Sequence, residues 1–351
     1  MIGGVALLLA VAGLTWWRLQ SGTPDHDLTE PDNVAAVVGA ISRAVPDAQR
    51  DAHVPGVAVA VTEGDDVAWS HTFGVPAGTV FEAGSISKTV AAAAVLALVD
   101  DGRVDLDEPV ATYLRTWRLP DAFPDPDEVT LRALLSHTAG IDTPGYLGLP
   151  ADQPLPSTAE SLDGAATGAA VRQTETPGEY TYSGGGFTIA QQVVEDVTGE
   201  PFADVVRREV LEPLGMTSSG YECTQADQPA PADAPGHLAD GEAAPRYRYA
   251  EAAAAGLCTT ADDLARFAVW LGSSDPRARE MREAATGTDG VYGLGVEIEG
   301  SSTVRHVGIN RGFHAELLVN PGARVGLVVL TNGDEGGDVV DAVLNAWHDA
   351  D

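Results

Sequence analysis

Lysine is almost missing from this 351-residue chain: Lys and Arg together number 20, and Lys88 is the only lysine. Against them stand 52 Asp and Glu, for a formal net charge of -32. Phosphate binding needs clustered cations, so nucleic acid is excluded as a partner class. Two readings of the acidity remain open, a surface adapted to high salt or a composition biased toward Ala, Asp, Gly and Arg. Under either, self-repulsion is strong in dilute buffer and screened by salt.

Cysteine is scarce too, with Cys223 and Cys258 alone. No HExxH, cysteine-pair or dinucleotide glycine pattern occurs, so neither a metal nor an organic cofactor is expected. No Gly-x-Ser-x-Gly elbow occurs either, which argues against an α/β-hydrolase fold. There is no internal repeat.

One apolar run stands out. Ile2 to Trp17 is almost wholly apolar and ends in Trp16-Trp17-Arg18, a pattern of membrane entry and interfacial anchoring. It is short for a span, carries no basic residue ahead of it and lacks a clear small-residue cleavage site. Residues 1–20 are therefore read as an uncleaved membrane anchor or export signal, 21–34 as a polar linker and 35–351 as the folded domain, outside the cytoplasm. In that setting Cys223 and Cys258 either close a disulfide or remain two separate thiols; both readings stand.

Along the domain, Asn33 to Asp51 has helical spacing. Val57–Thr62 and Val67–Phe73 read as strands joined through Glu63-Gly64-Asp65-Asp66, a hairpin signal. Ser85 to Val99 is apolar on every face and ends at Asp100-Asp101-Gly102, so a buried central helix is expected. From about 105 to 285 helices alternate with Pro- and Gly-rich loops. Thr260-Ala261-Asp262-Asp263 has the form of a capping box, and 225–241 reads as a surface loop. Period-two alternation returns at Leu294, Val296 and Ile298. Further strands follow over Thr303–His306, His314–Val319 and Arg324–Thr331, then a last helix from about Gly337 to His348. The pattern predicts an α+β fold: one antiparallel sheet built from both chain ends, flanked by helices, with a mainly helical lobe inserted at 105–285 and a cleft between the lobes.

Three constellations carry chemistry. In Gly84-Ser85-Ile86-Ser87-Lys88 the glycine allows a tight turn, Ser85 opens a helix, and Lys88 at i+3 returns to the same face. An amine, unlike a guanidinium, loses its proton when desolvated and can serve as the base for a serine nucleophile. In Tyr180-Thr181-Tyr182-Ser183-Gly184-Gly185-Gly186, Tyr182 is the candidate proton shuttle, with a phenol pKa lowered by the nearby ammonium. In Arg305-His306-Val307-Gly308-Ile309, His306 is placed to contact substrate and Gly308 to let it approach. The N–H groups of Ile309 and Ser85 are placed to hold an oxyanion.

In this order the motifs resemble the serine hydrolase family of class C β-lactamases, penicillin-binding DD-carboxypeptidases and related esterases. Ser85-Ile86-Ser87-Lys88 matches the family's S-x-x-K, Tyr182-Ser183-Gly184 its Y-x-N, and His306-Val307-Gly308 its K-T-G or H-x-G. Leu134–Ile141, Glu212–Met216 and Ala255–Leu257 leading into Asp262-Asp263-Leu264 look alike too, so the likeness runs from about Val54 to Asp334. It implies a β-lactamase/transpeptidase-like fold and a serine hydrolase working through an acyl-enzyme on small ester, amide, D-amino-acid or peptide substrates. Ser85, Lys88 and Tyr182 would be catalytic; His306, Gly308, Ile309 and Gly184 would bind substrate; His137 would be scaffold. Two departures weaken a β-lactamase reading: the family's asparagine is Gly184, and its lysine is His306. That reading stays as an alternative, as does a catalytically silent binding protein on a membrane surface.

Overall fold

The computed structural model describes residues 26–221, 223 and 234–350. The anchor expected over 1–20, the start of the linker and most of the 225–241 loop lie outside the described residues. Among the described residues no helix is long and apolar enough to cross a membrane.

Among the described residues, ten strands and six helices, with further short helices between them, build the fold: α1 (Val34–Asp51), β1 (Val57–Glu63), β2 (Asp66–Phe73), β3 (Phe81–Glu82), α2 (Ile86–Asp100), β4 (Leu149–Pro150), α3 (Gly184–Thr198), β5 (Tyr247–Arg248), α4 (Ala252–Ala255), β6 (Cys258–Thr259), α5 (Ala261–Gly272), β7 (Glu297–Glu299), β8 (Thr303–Asn310), β9 (Phe313–Asn320), β10 (Val325–Thr331) and α6 (Gly336–Asp349). Six strands form one antiparallel sheet in the order β2-β1-β10-β9-β8-β7. Both chain ends thus contribute to it, as the sequence pattern predicts. β3 pairs with β6 and β4 with β5 in two small ribbons beside it.

Alternation along β1 and β10 sorts the core into two layers. Val57, Val59, Val61, Leu327 and Val329 pack under α1 and α6 with Ile41, Val343 and Trp347. Ala58, Ala60, Val328 and Leu330 face the other way, toward α2 and α5. Asn33 starts α1 by accepting the Ala35 amide at 3.0 Å. Helix α2 buries thirteen of its fifteen residues, as its unbroken apolar run requires. Each fully buried aliphatic side chain contributes about 1.5–3 kcal/mol, so packing more than capping holds α2 in place.

Three expectations need correction. Residues 26–33 are not a detached linker: Leu28 is fully buried, its amide donates to Thr303 Oγ1 at 2.9 Å, and its carbonyl accepts from Asn320 Nδ2 at 2.6 Å. The strand expected from Leu294 begins only at Glu297, because Gly295 has φ +72° and sits against Lys88 and Ala92 of α2. At α5, Thr260 Oγ1 accepts from the Asp263 amide at 3.2 Å, but the Asp263 carboxylate turns away to the Ser218 amide and the Ser219 hydroxyl. Only half of a capping box forms there.

Candidate active site

Ser85 stands at the N-terminus of α2, half-buried, with φ -66° and ψ -9°. One turn on, Lys88 is 1% exposed, and its Nζ lies 2.9 Å from Ser85 Oγ and 2.7 Å from the carbonyl oxygen of Ala254 at the end of α4. Burial lowers the Lys88 pKa to about 7. A neutral amine beside a serine hydroxyl is therefore accessible near neutrality, the state a base requires.

The turn carrying Ser85 is braced by the segment after α4. The Ala83 amide donates to Leu257 O at 2.8 Å, and the Leu257 amide to Ser87 Oγ at 2.8 Å. Cys258, the next residue, is bonded to Cys223, which decides between the two readings of the cysteines.

Tyr182 lies over this pair, with Lys88 Nζ 5.1 Å from its ring centre. Its phenol is not acidified, contrary to the expectation from the sequence. Burial raises its pKa, only partly opposed by a hydrogen bond with Ser85. The dryness of the site outweighs the nearby amine, and it is the lysine whose pKa is brought down to about 7.

His137 holds both sides of Tyr182. Its carbonyl accepts the Thr181 amide at 2.8 Å, its Nδ1 accepts the Ser183 amide at 3.0 Å, and the two rings lie 4.3 Å apart. Tyr292 Oη lies 3.2 Å from His137 Nε2 and 3.1 Å from His306 Nε2. Sequence reasoning missed Tyr292. Its signal was a tyrosine flanked by glycine, Val291-Tyr292-Gly293-Leu294-Gly295, just before β7.

His306, expected to meet substrate, is enclosed by protein. It is 1% exposed, its Nδ1 donates to Val307 O at 2.7 Å, and burial lowers its pKa to about 4, so the ring is neutral. At Gly308 the missing side chain admits protein: a Cβ there would overlap the Ala83 carbonyl. The same approach puts Ile309 N 2.6 Å from where a Cβ on Gly84 would stand. β8 therefore runs directly against the Ser85 turn, with the Ile309 side chain 47% exposed beside it.

Gly184 is also closed off. It is buried at the start of α3, where a Cβ would meet Tyr146 at 3.2 Å and Pro144 O at 3.4 Å. The amides of Gly184 and Gly185 donate to Pro144 O and Thr143 O at 3.3 and 3.0 Å, so a loop rather than a ligand covers this helix end. Arg311, the residue after β8, is exposed and donates to Tyr247 Oη at 3.0 Å. Among the described residues no group of three or more His, Cys, Asp or Glu is placed to hold a metal ion.

A two-layered α+β core with Ser, Lys and Tyr converging at the start of its central helix defines the β-lactamase/transpeptidase-like class of serine hydrolases. Residues 41–350 match the beta-lactamase family, and the chain belongs to it. It is 31% identical over 157 residues to a putative penicillin-binding protein of Bacillus subtilis, covering 44% of this chain and 36% of that protein. It is 30% identical over 165 residues to the esterase EstB of Burkholderia gladioli, covering 43% and 40%. These alignments span well under half of either relative's length. Among solved structures, the D-amino acid amidase of Ochrobactrum anthropi superposes with a TM-score of 0.73 at 23% identity, covering 89% of this chain and 98% of that one; that likeness is one of fold.

Proposed function

We propose that this protein hydrolyses small esters and amides, D-amino-acid derivatives among them, through an acyl-enzyme on Ser85. The buried Lys88 amine within hydrogen-bond distance of the Ser85 hydroxyl carries this reading. The Ser85 hydroxyl donates its proton to neutral Lys88 as Oγ bonds the substrate carbonyl carbon. The developing oxyanion is taken up by the amides of Ser85 and Ile309. Tyr182, which keeps its own proton at neutral pH, relays the one held by Lys88 to the leaving alkoxide or amine as the scissile bond breaks. Water then attacks the acyl carbon by the same route in reverse and frees Ser85.

Neutral esters and amides rank above β-lactams because His306 is neutral, so the fixed positive charge of the family's lysine at this position is lacking. The esterase and amidase names among the similar proteins support the same ranking. The Cys223–Cys258 bond supports folding in an oxidising, extracytoplasmic compartment.

The test is labelling of Ser85 by a fluorophosphonate, with p-nitrophenyl acetate and a chromogenic cephalosporin as competing substrates. Labelling lost in Ser85→Ala, with the acetate turned over far faster than the cephalosporin, is expected. Equal behaviour of wild-type and Ser85→Ala proteins would overturn the enzyme reading, and faster cephalosporin turnover would overturn the substrate ranking.

A further inference from the structure

The geometry points to a directional hydrogen-bond relay, His137–Tyr292–His306, that fixes Tyr182 relative to β8, with Tyr292 as a positioning residue for catalysis. The direction follows from its two ends. The Ser183 amide is only a donor, so His137 Nδ1 must accept and, in the neutral ring, Nε2 must carry the hydrogen. Val307 O is only an acceptor, so His306 Nδ1 must carry its hydrogen and Nε2 must accept. Tyr292 Oη, between the two Nε2 atoms at 3.2 and 3.1 Å, then accepts from His137 and donates to His306. Every donor and acceptor in the line is used once.

Three further observations support this assignment. His137 has φ +62°, a left-handed backbone that a non-glycine residue holds only when its surroundings impose it. That backbone lets one residue take the Thr181 amide with its carbonyl and the Ser183 amide with its ring, so Tyr182 is gripped from both sides. Burial lowers the pKa of both histidines, His306 to about 4, and raises that of Tyr292, so all three stay neutral together across neutral pH. The line ends on two backbone groups, the Ser183 amide and Val307 O, neither of which takes up or releases a proton in the reaction, so what it supplies is registry. Val307 O, where it ends, lies two residues before Ile309, the proposed oxyanion donor. The relay therefore ties the spacing of Tyr182 and the oxyanion site to one buried phenol.

The catalytic role rests on the serine hydrolase reading, whereas the bonding pattern does not. Long-range 15N correlation spectra of the histidine rings in the wild-type protein read the pattern directly. The expected result is opposite tautomers, Nε2–H at His137 and Nδ1–H at His306, unchanged from pH 6 to 8; the same tautomer at both overturns the relay, whether or not Tyr292 variants fold. In Tyr292→Phe, kcat for p-nitrophenyl acetate is expected to fall at least tenfold with KM within about twofold, and fluorophosphonate labelling of Ser85 to slow in parallel. Wild-type kcat in a folded Tyr292→Phe protein overturns the positioning role. Failure of the wild-type protein to label sinks the hydrolase reading instead, and leaves the tautomer measurement to decide the relay by itself.

Discussion

Lys88 is held between Ser85 and the carbonyl oxygen of Ala254, 2.9 Å from one and 2.7 Å from the other, with no exit to solvent. The carbonyl takes one N–H and so turns the nitrogen lone pair toward the serine once the amine is neutral. A guanidinium offers no such lone pair.

Lys88→Arg should therefore lose about as much activity as Lys88→Ala, on the order of a thousandfold or more in kcat/KM, within the range seen when a nucleophile's activating base is removed. In the wild type, kcat/KM should rise with pH as the amine loses its proton near 7, then level off. Ester hydrolysis across pH 5–9 checks both. Retention of most of the rate by Lys88→Arg would refute the assigned role.

The same amine is a burden on the fold. Its proton leaves near pH 7 in the folded chain but only near 10.5 in the unfolded one, so the unfolded chain binds more protons between those values and stability rises with pH across that window. Below pH 7 the full burial cost applies. Lys88→Met should thus melt higher than wild type at pH 6 while being inactive, with each kcal/mol worth about 2 °C in a domain of this size. Calorimetry at pH 6 and pH 9 should show the gap closing at the higher pH.

Restoring the family's asparagine should not restore β-lactam turnover. Gly184→Asn drives a side chain into Tyr146 and Pro144, with an expected loss of about 1–3 kcal/mol on denaturant unfolding and no gain with a cephalosporin. Gly308→Ala should be worse, because the Ala83 carbonyl it strikes belongs to the nucleophile's own turn.

Titration of denatured, unreduced protein should find no free thiol. The bond spans 35 residues, and closing such a loop restrains the unfolded chain by about 3–4 kcal/mol in the chain-entropy view. Cys223→Ser should lower stability by that order. It should also lower kcat, because Cys258 adjoins the Leu257 amide that braces Ser87.

Added salt should stabilise the protein. With a net charge of -32, the melting temperature is expected to climb from dilute buffer to molar NaCl as repulsion is screened. A flat profile would show that the carboxylates are spaced too widely to matter.

Features legible in the sequence were those encoded within a few residues. The i to i+3 spacing of Ser85 and Lys88, the alternation of β8 to β10 and the apolar run of α2 all express local periodicity, and the structure places them accordingly. What could not be read depended on partners far along the chain. Gly184 looked like an open substrate position because nothing near it announces that Pro144 and Tyr146 fold over it. His306 looked available because its partners are Tyr292 and its own strand's carbonyl. Tyr182 was assigned the wrong direction of pKa change because a sequence records which charges are near but not how dry the site is.

A lone, sheltered lysine also makes the protein its own opening sensor. Amine-reactive reagents find no other lysine side chain in the chain, and in the folded state this one is 1% exposed. Acylation of Lys88 therefore counts excursions in which the cleft comes apart. Its rate under native conditions, followed by mass spectrometry of the peptide that contains Lys88, is a direct clock for how often the catalytic centre is unmade.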